Sequence, residues 1–300
     1  MSKIDIVMPV KVVDDYTFRA INSVINQTFE DYRILIIADK ASINKLMKNN
    51  YGEKIHYIES DNSEYAGEKR NIGITKAISE YLMFLDSDDE LFSNKTLSTL
   101  YKNIKDGDYN IVIGSCVIYE EINRRYVKRE DLINLEYKES TIKNFQIETG
   151  FYRCIYNTKF IKNNMLNFPN LKRFQDCVFM IRTLLVAGKF LLIPDFVYKY
   201  RKQHKIIKWN YDLYIDHIRG VYLLIKLSSQ FKLKLLKRRM MKNIINTYKL
   251  RKPLVKVSYK EQLSLIKIKL KIILYVLSDI GLCKSDWCLY CNTMLVLVKL

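Results

Sequence analysis

Three hundred residues suffice for one large α/β domain, or one domain with an appendage, and 49% hydrophobic content with 12% aromatics excludes a disordered chain. No apolar leader with a small-residue cleavage site follows Met1, and no apolar run reaches the roughly 18–20 residues of a spanning helix. A cytoplasmic protein whose six cysteines are mostly free thiols is expected. The net charge of +18 is lopsided: residues 1–200 hold 28 Lys/Arg against 27 Asp/Glu, and residues 201–300 hold 22 against 5. That division implies a near-neutral body and a basic surface that meets something anionic.

Ile4–Val10 reads as a buried strand. Asp14 or Asp15 then caps a helix whose apolar positions Phe18, Ile21, Val24 and Ile25 recur at helical spacing. Strands are expected at Arg33–Ala38, Ile55–Glu59, Tyr81–Leu85 and Ile111–Ile118, with helices near Ile43–Asn49, Glu68–Ser79 and Lys95–Ile104 between them. Such alternation predicts a mostly parallel sheet with helices on both faces. Ligands bind beyond the carboxyl ends of such strands, which directs attention to Pro9-Val10-Lys11, Asp39-Lys40 and Asp86-Ser87-Asp88-Asp89. Further on, Arg124–Lys128 and Phe151–Ile155 read as edge strands, and Asp176–Ala187 as a helix ending at Gly188. After Trp209 the pattern is helical almost throughout. A soft boundary near residue 207 divides the chain into 1–207 and a basic helical region, 208–300.

The run YLMFLDSDDEL, Tyr81–Leu91, ends an apolar strand in three carboxylates within four residues, a repulsive arrangement unless a cation sits there. Mg²⁺ or Mn²⁺ suits one or two such carboxylates together with water and substrate phosphates. A solvated acidic loop capping the next helix is the alternative.

Four segments carry a wider resemblance. IDIVMPV (Ile4–Val10), SVINQTF (Ser23–Phe29), GEKRNIGI (Gly67–Ile74) and ISEYLMFLDSDDEL (Ile78–Leu91) match, in order and interval, the motifs of family 2 glycosyltransferases. The resemblance implies a GT-A fold and transfer of a sugar from a nucleotide diphosphate, in the first instance a UDP-sugar. It implies that Asp86 holds the ribose or diphosphate, that Asp88 ligates Mn²⁺ or Mg²⁺, and that Arg70 lies near the nucleotide. Asp39 would read the base, although Ala38 stands where the family often has a second acid.

Asp176, in RFQDCVFMIRTL, resembles the second member of the family's Glu-Asp pair, with Gln175 in place of the glutamate. It is the implied general base, against the simpler role of a helix cap. YKYRKQH, Tyr198–His204, resembles the family's Tyr-Arg-x-x-His segment. His204 would complete the metal site or touch the diphosphate, and Arg201 would pair with phosphate or with Asp176. His56 and His217 have no such context and read as structural or exposed.

Phe231–Leu250 and Leu254–Leu277 are cationic segments with apolar faces. Such helices lie in a membrane interface, drawn by anionic lipid, unless their apolar faces pack on the body. The resemblance implies a glycan or polyprenyl-linked acceptor at the inner face of the membrane. No nucleic-acid motif is present, and nucleic acid is not an expected partner. Cys288 and Cys291, with Cys283 nearby, lack a visible fourth zinc ligand and read as free thiols, whereas Cys116, Cys154 and Cys177 read as core. The expectation is an inverting glycosyltransferase. A catalytically inactive scaffold of the same fold is the alternative, kept open by Gln175 and Ala38. A nucleotidyltransferase is a weaker rival, because PVKVVDDY has no glycine after the first strand.

Overall fold

The computed structural model describes residues 2–60, 65–202 and 208–251, with Leu265 and Ile268. In chain order the elements begin β1 (Ile4–Pro9), α1 (Asp15–Ile25), β2 (Tyr32–Ala38), α2 (Lys40–Leu46), β3 (Ile55–Glu59), α3 (Ala66–Lys76), β4 (Tyr81–Phe84), β5 (Glu90–Leu91) and α4 (Thr96–Asp106). There follow β6 (Ile111–Glu120), β7 (Arg125–Val127), β8 (Lys138–Thr141), α5 (Ile142–Phe145), β9 (Cys154–Asn157), α6 (Thr158–Asn163), α7 (Gln175–Ala187), β10 (Lys189–Lys202), α8 (Tyr211–Gln230) and α9 (Lys234–Arg251).

One sheet runs β3-β2-β1-β4-β9-β6-β10-β5, with β7 beside β6 and β8 beside β10. The pairing is parallel from β3 to β4, as the alternation predicts. Beyond β4 it becomes mixed, with β9 antiparallel to both neighbours and β6 parallel to β10. All six residues of β1 are buried, which is why this strand reads as an unbroken apolar run. Its one charge, Asp5, is satisfied: Arg33 donates two hydrogen bonds at 2.8 Å, and the amides of Ile78 and Ser79 donate at 2.7 and 2.8 Å. Burial of this carboxylate thereby ties the start of β4 to β1. Asp14 caps α1 in a capping box with Thr17. α3 comes so close to β1 that a Cβ on Gly73 would sit 2.3 Å from Val7 Cγ1.

Two expectations need correction. Phe151–Ile155 is not an edge strand: Phe151–Arg153 forms a 3₁₀ turn, and β9 then fills the sheet interior between β4 and β6. The sequence pattern also lacks the 14-residue β10, because Pro194 breaks its alternation. Its register against β6 shifts between Leu192 and Phe196, which accommodates a residue that has no amide to donate.

The described helices after residue 207 share one continuous hydrophobic core with the sheet, through Tyr214, Ile218, Leu224, Leu236 and Ile244 among others. Polar contacts add to that packing. Gln146 Oε1 accepts from the amide of Leu236 at 3.1 Å, Arg239 pairs with Glu148, and the Lys172 amide donates to Asp216 at 2.9 Å. No helix among the described residues is long and apolar enough to cross a membrane. His204, all of Leu254–Leu277 except Leu265 and Ile268, and Cys283, Cys288 and Cys291 lie outside the described residues. Cys116, Cys154 and Cys177 are buried, as expected.

Candidate active site

Two adjoining clefts lie at the sheet edge where β1 and β4 end. One, of about 300 Å³, is lined by Pro9, Lys11, Tyr65, Lys69 and Gln175. The other, of about 370 Å³, is lined by Arg70, Asp86, Tyr152, Phe174, Gln175 and Asp176, among others. A larger hollow of about 610 Å³ sits at the opposite edge, beside Ser79 and Glu80. Ligands of open α/β sheets bind beyond the carboxyl ends of the strands, so the paired clefts are the site.

The segment Gly67–Ile74 supplies much of the wall. Lys69 is buried and donates to the carbonyl of Val10 at 2.6 Å, and burial pulls its ammonium below the usual value. Arg70 pairs with Asp86 and donates to Gln175 Oε1 at 3.5 Å. Its guanidinium lies 4.6 Å from the Phe151 ring centroid and 5.2 Å from that of Phe168. Asn71 clamps the backbone of Phe168, donating at 2.9 Å and accepting at 2.8 Å. A Cβ on Gly67 would press within 3.3 Å of Gln175 Cγ, so a glycine here lets Gln175 approach.

The acidic run forms a turn in which the Asp89 amide donates to the Asp86 carbonyl at 3.0 Å. The Asp86 carboxyl is pushed up by burial and pulled down by Arg70, and the charges of Asp88 and Asp176 add to the rise. Asp89 is buried outright, and burial holds its carboxyl well above the usual carboxylate range. It accepts from Tyr198 Oη at 2.9 Å and from the Arg201 amide at 2.6 Å. Tyr198 Oη in turn accepts from the Asp86 amide at 3.1 Å. Strand β10 thus holds the turn that presents Asp86 and Asp88. From the other side, Ser23 Oγ accepts from Leu91, and Gln27 bonds to the carbonyl of Ser93 and the amide of Leu97. The Ser-x-x-x-Gln segment therefore braces the chain that follows the acids.

Asp176 stands in the first turn of α7, half-buried and on the wall shared with Arg70 and Asp86. The residue before the helix, Phe174, has φ +70°, a left-handed conformation that is costly for an aromatic residue. It is held between the His217 ring, at 4.7 Å, and Gly220, where a Cβ would come within 2.7 Å of Phe174 Cβ. His217, read from sequence as structural or exposed, is buried and lines the cleft, and its Nε2 bonds to Asn243 at 2.7 Å. No local motif announces it; the packing of α8 on α7 brings it there.

Two other expected site residues are placed differently. Asp39 is exposed at the N-cap of α2 and accepts from Ser42 N at 2.9 Å and Ser42 Oγ at 3.0 Å, which hold its carboxyl below the usual range. It lines neither cleft, although its charge reaches Lys69. Arg201 does not pair with Asp176. It is 3% exposed, and its guanidinium is bound to Glu90 and Glu121. Its role is to lock β10 to the segment after the acidic turn.

Among the described residues no group of three or more His, Cys, Asp or Glu side chains is set to hold a metal. A hard divalent ion takes one or two carboxylates and fills its remaining positions with water and phosphate oxygens, and Asp86 and Asp88 stand two residues apart on this turn.

Comparisons with known proteins place this sheet among sugar-transferring enzymes. The glycosyl transferase family 2 model matches residues 5–168, more than half of the chain, and the chain belongs to that family. It is 27% identical over 228 residues to the glycosyltransferase GlyG of Streptococcus pneumoniae, covering 70% of this chain and 74% of GlyG. It is 29% identical over 206 residues to a poly(ribitol-phosphate) beta-glucosyltransferase of Bacillus spizizenii, covering 66% of this chain but only 32% of that protein. The crystal structure of Staphylococcus aureus TarS residues 1–349 superposes with a TM-score of 0.76 at 19% identity, covering 99% of this chain and 88% of the other. A complex of the same TarS fragment with UDP-GlcNAc gives a TM-score of 0.72 at 20% identity, covering 91% and 80%. The fold is the GT-A fold.

Proposed function

We propose that the protein transfers a sugar from a UDP-sugar to an acceptor hydroxyl with inversion, acting on a lipid-linked glycan in surface-polymer synthesis. The observation that carries this reading is the convergence of Arg70, Asp86, Gln175 and Asp176 on one cleft at the carboxyl edge of the sheet. The UDP-GlcNAc complex of the TarS fragment supports the choice of donor. Asp88 and Asp86 would hold Mn²⁺ or Mg²⁺, which when bound supplies Lewis-acid stabilisation of the departing diphosphate. His204 is a further proposed ligand.

Arg70 fixes the Asp86 carboxylate and adds positive charge where the diphosphate leaves. Asp39, which lines neither cleft, is the proposed contact to the base beyond them. Asp176 takes the acceptor proton as the acceptor oxygen bonds to the anomeric carbon. The bond from that carbon to the diphosphate oxygen breaks, and UDP leaves with the electron pair. Base catalysis of this kind contributes about 10²–10⁴ in rate. Attack from the face opposite the leaving group inverts the anomeric centre.

Docking at the inner face of the membrane is proposed on charge. Helix α9 carries Lys234, Arg238 and Lys242 on an exposed face and has no acidic residue.

The test is a donor-hydrolysis and transfer assay with UDP-sugars, in Mn²⁺ or EDTA. Asp88→Ala is expected to abolish the Mn²⁺-dependent release of UDP, and Asp176→Asn to lower transfer at least 100-fold while UDP still binds. Full transfer by Asp176→Asn would remove that residue from the role of base. Absence of Mn²⁺-dependent UDP binding in the unaltered protein would favour the inactive scaffold.

A further inference from the structure

The main cleft is rich in basic side chains. Its walls bring Arg70, Arg129, Lys172 and Arg173 together with only two carboxylates, Asp86 and Asp176. This happens within 200 residues whose 28 basic and 27 acidic side chains nearly cancel. Three of the four cations have carboxylate partners. Arg70 pairs with Asp86, Lys172 with Asp212 at 2.6 Å, and Arg129 with Asp131. Arg173 has none among the described residues. It is exposed, three positions before Asp176, and its guanidinium carbon lies 5.7 Å from the Trp209 ring centroid. The Arg129 pair uses Nε and Nη2 on the two oxygens of Asp131, which leaves Nη1 available. One guanidinium without a carboxylate partner among the described residues, beside a second whose Nη1 is left over from its pair, suits a ligand that brings its own negative charge.

We infer that Arg173, together with Nη1 of Arg129, forms an acceptor subsite for an anionic group, a phosphodiester or a carboxylate, beside the hydroxyl that Asp176 deprotonates. The inference rests on the glycosyl-transfer reading for the role of Asp176. The planar fork of arginine matches both anions through paired hydrogen bonds, and a neutral sugar would leave that charge unused. The Trp209 ring holds the Arg173 guanidinium in place before the acceptor arrives, which lowers the ordering cost of binding.

The test is calorimetric titration of the full chain in Mn²⁺ and UDP with three probes: a glycerol-phosphodiester oligomer, an oligogalacturonate of equal charge, and a neutral maltooligosaccharide. At least one anionic oligomer is expected to bind and the neutral one not, with affinity falling as salt rises. Arg173→Gln is expected to weaken that binding about tenfold, and Arg173→Lys less, because the charge remains while the fork is lost. UDP is titrated separately into each protein. Equal binding of charged and neutral oligomers overturns the inference, as does failure of both anionic oligomers to bind a protein that binds UDP. A loss of UDP affinity in Arg173→Gln would assign the residue to the donor and also overturn it. Binding of an anionic oligomer through Arg173 by a chain that binds no UDP would leave the subsite standing and remove the donor reading.

Discussion

Arg70 on α3 and Asp86 after β4 form an ion pair inside the cleft, and the same guanidinium reaches Gln175 while lying over the rings of Phe151 and Phe168. One side chain thereby joins the helix after β3, the acidic turn and the start of α7. Arg70→Lys keeps the charge but loses the fork and the flat stacking surface. UDP affinity is expected to fall about tenfold, with a larger loss in transfer rate, as checked by calorimetry and steady-state kinetics.

Asp89 is buried beneath the acidic turn and depends on Tyr198 and the Arg201 amide for its hydrogen bonds. Tyr198→Phe removes a donor from Asp89 and an acceptor from the Asp86 amide. Leaving two buried polar groups short is expected to cost about 1–3 kcal/mol in urea unfolding. The Mn²⁺ concentration needed for half-maximal activity is expected to rise, because the turn that presents Asp86 and Asp88 loosens.

Gly73 faces Val7 at a distance that leaves no room for a methyl group. Gly73→Ala must push α3 away from β1, at a cost of about 1–3 kcal/mol. The melting temperature is expected to drop by several degrees and UDP affinity to fall, since Arg70 rides on the same helix. Adding Val7→Ala should recover part of the loss, which a melting series on the two single variants and the double variant would measure.

Lys237 on α9 is buried, and burial lowers its ammonium from 10.5 to about 8. The unfolded chain binds the proton more tightly, so the penalty is fully present below about pH 8 and disappears as pH rises toward 10.5. The stability of the unaltered protein should therefore rise across that window relative to Lys237→Met. The variant should be more stable at pH 7 by about 1–2 kcal/mol, allowing for solvent screening, and denaturant unfolding at pH 7 and pH 10 would show the gap closing.

The strands β1 to β4 and their acidic terminus were legible in the sequence because each states its own environment. A parallel strand buried on both faces is apolar at every position, and acids massed at its end require a counter-charge. Gly67–Ile74 was equally legible as a helix with a site arginine. Its partners were not: Arg70 meets Asp86 and Gln175, and Asn71 meets Phe168, at separations of 16, 105 and 97 residues. Strand β10 is not legible because Pro194 interrupts its pattern, and β9 reads as an edge because nothing local says which strands will flank it.

What the sequence determined by itself is the family, the first half of the sheet and the chemistry at its edge, since local periodicity and short motifs record burial along one element. The tertiary structure alone decided that Arg201 is a buried brace for the acidic turn, that His217 lines the cleft, and that Arg173 faces it without a carboxylate partner among the described residues. Those outcomes depend on which surfaces α8 and β10 cover, and that choice is made by packing across the whole core rather than by any neighbouring residue.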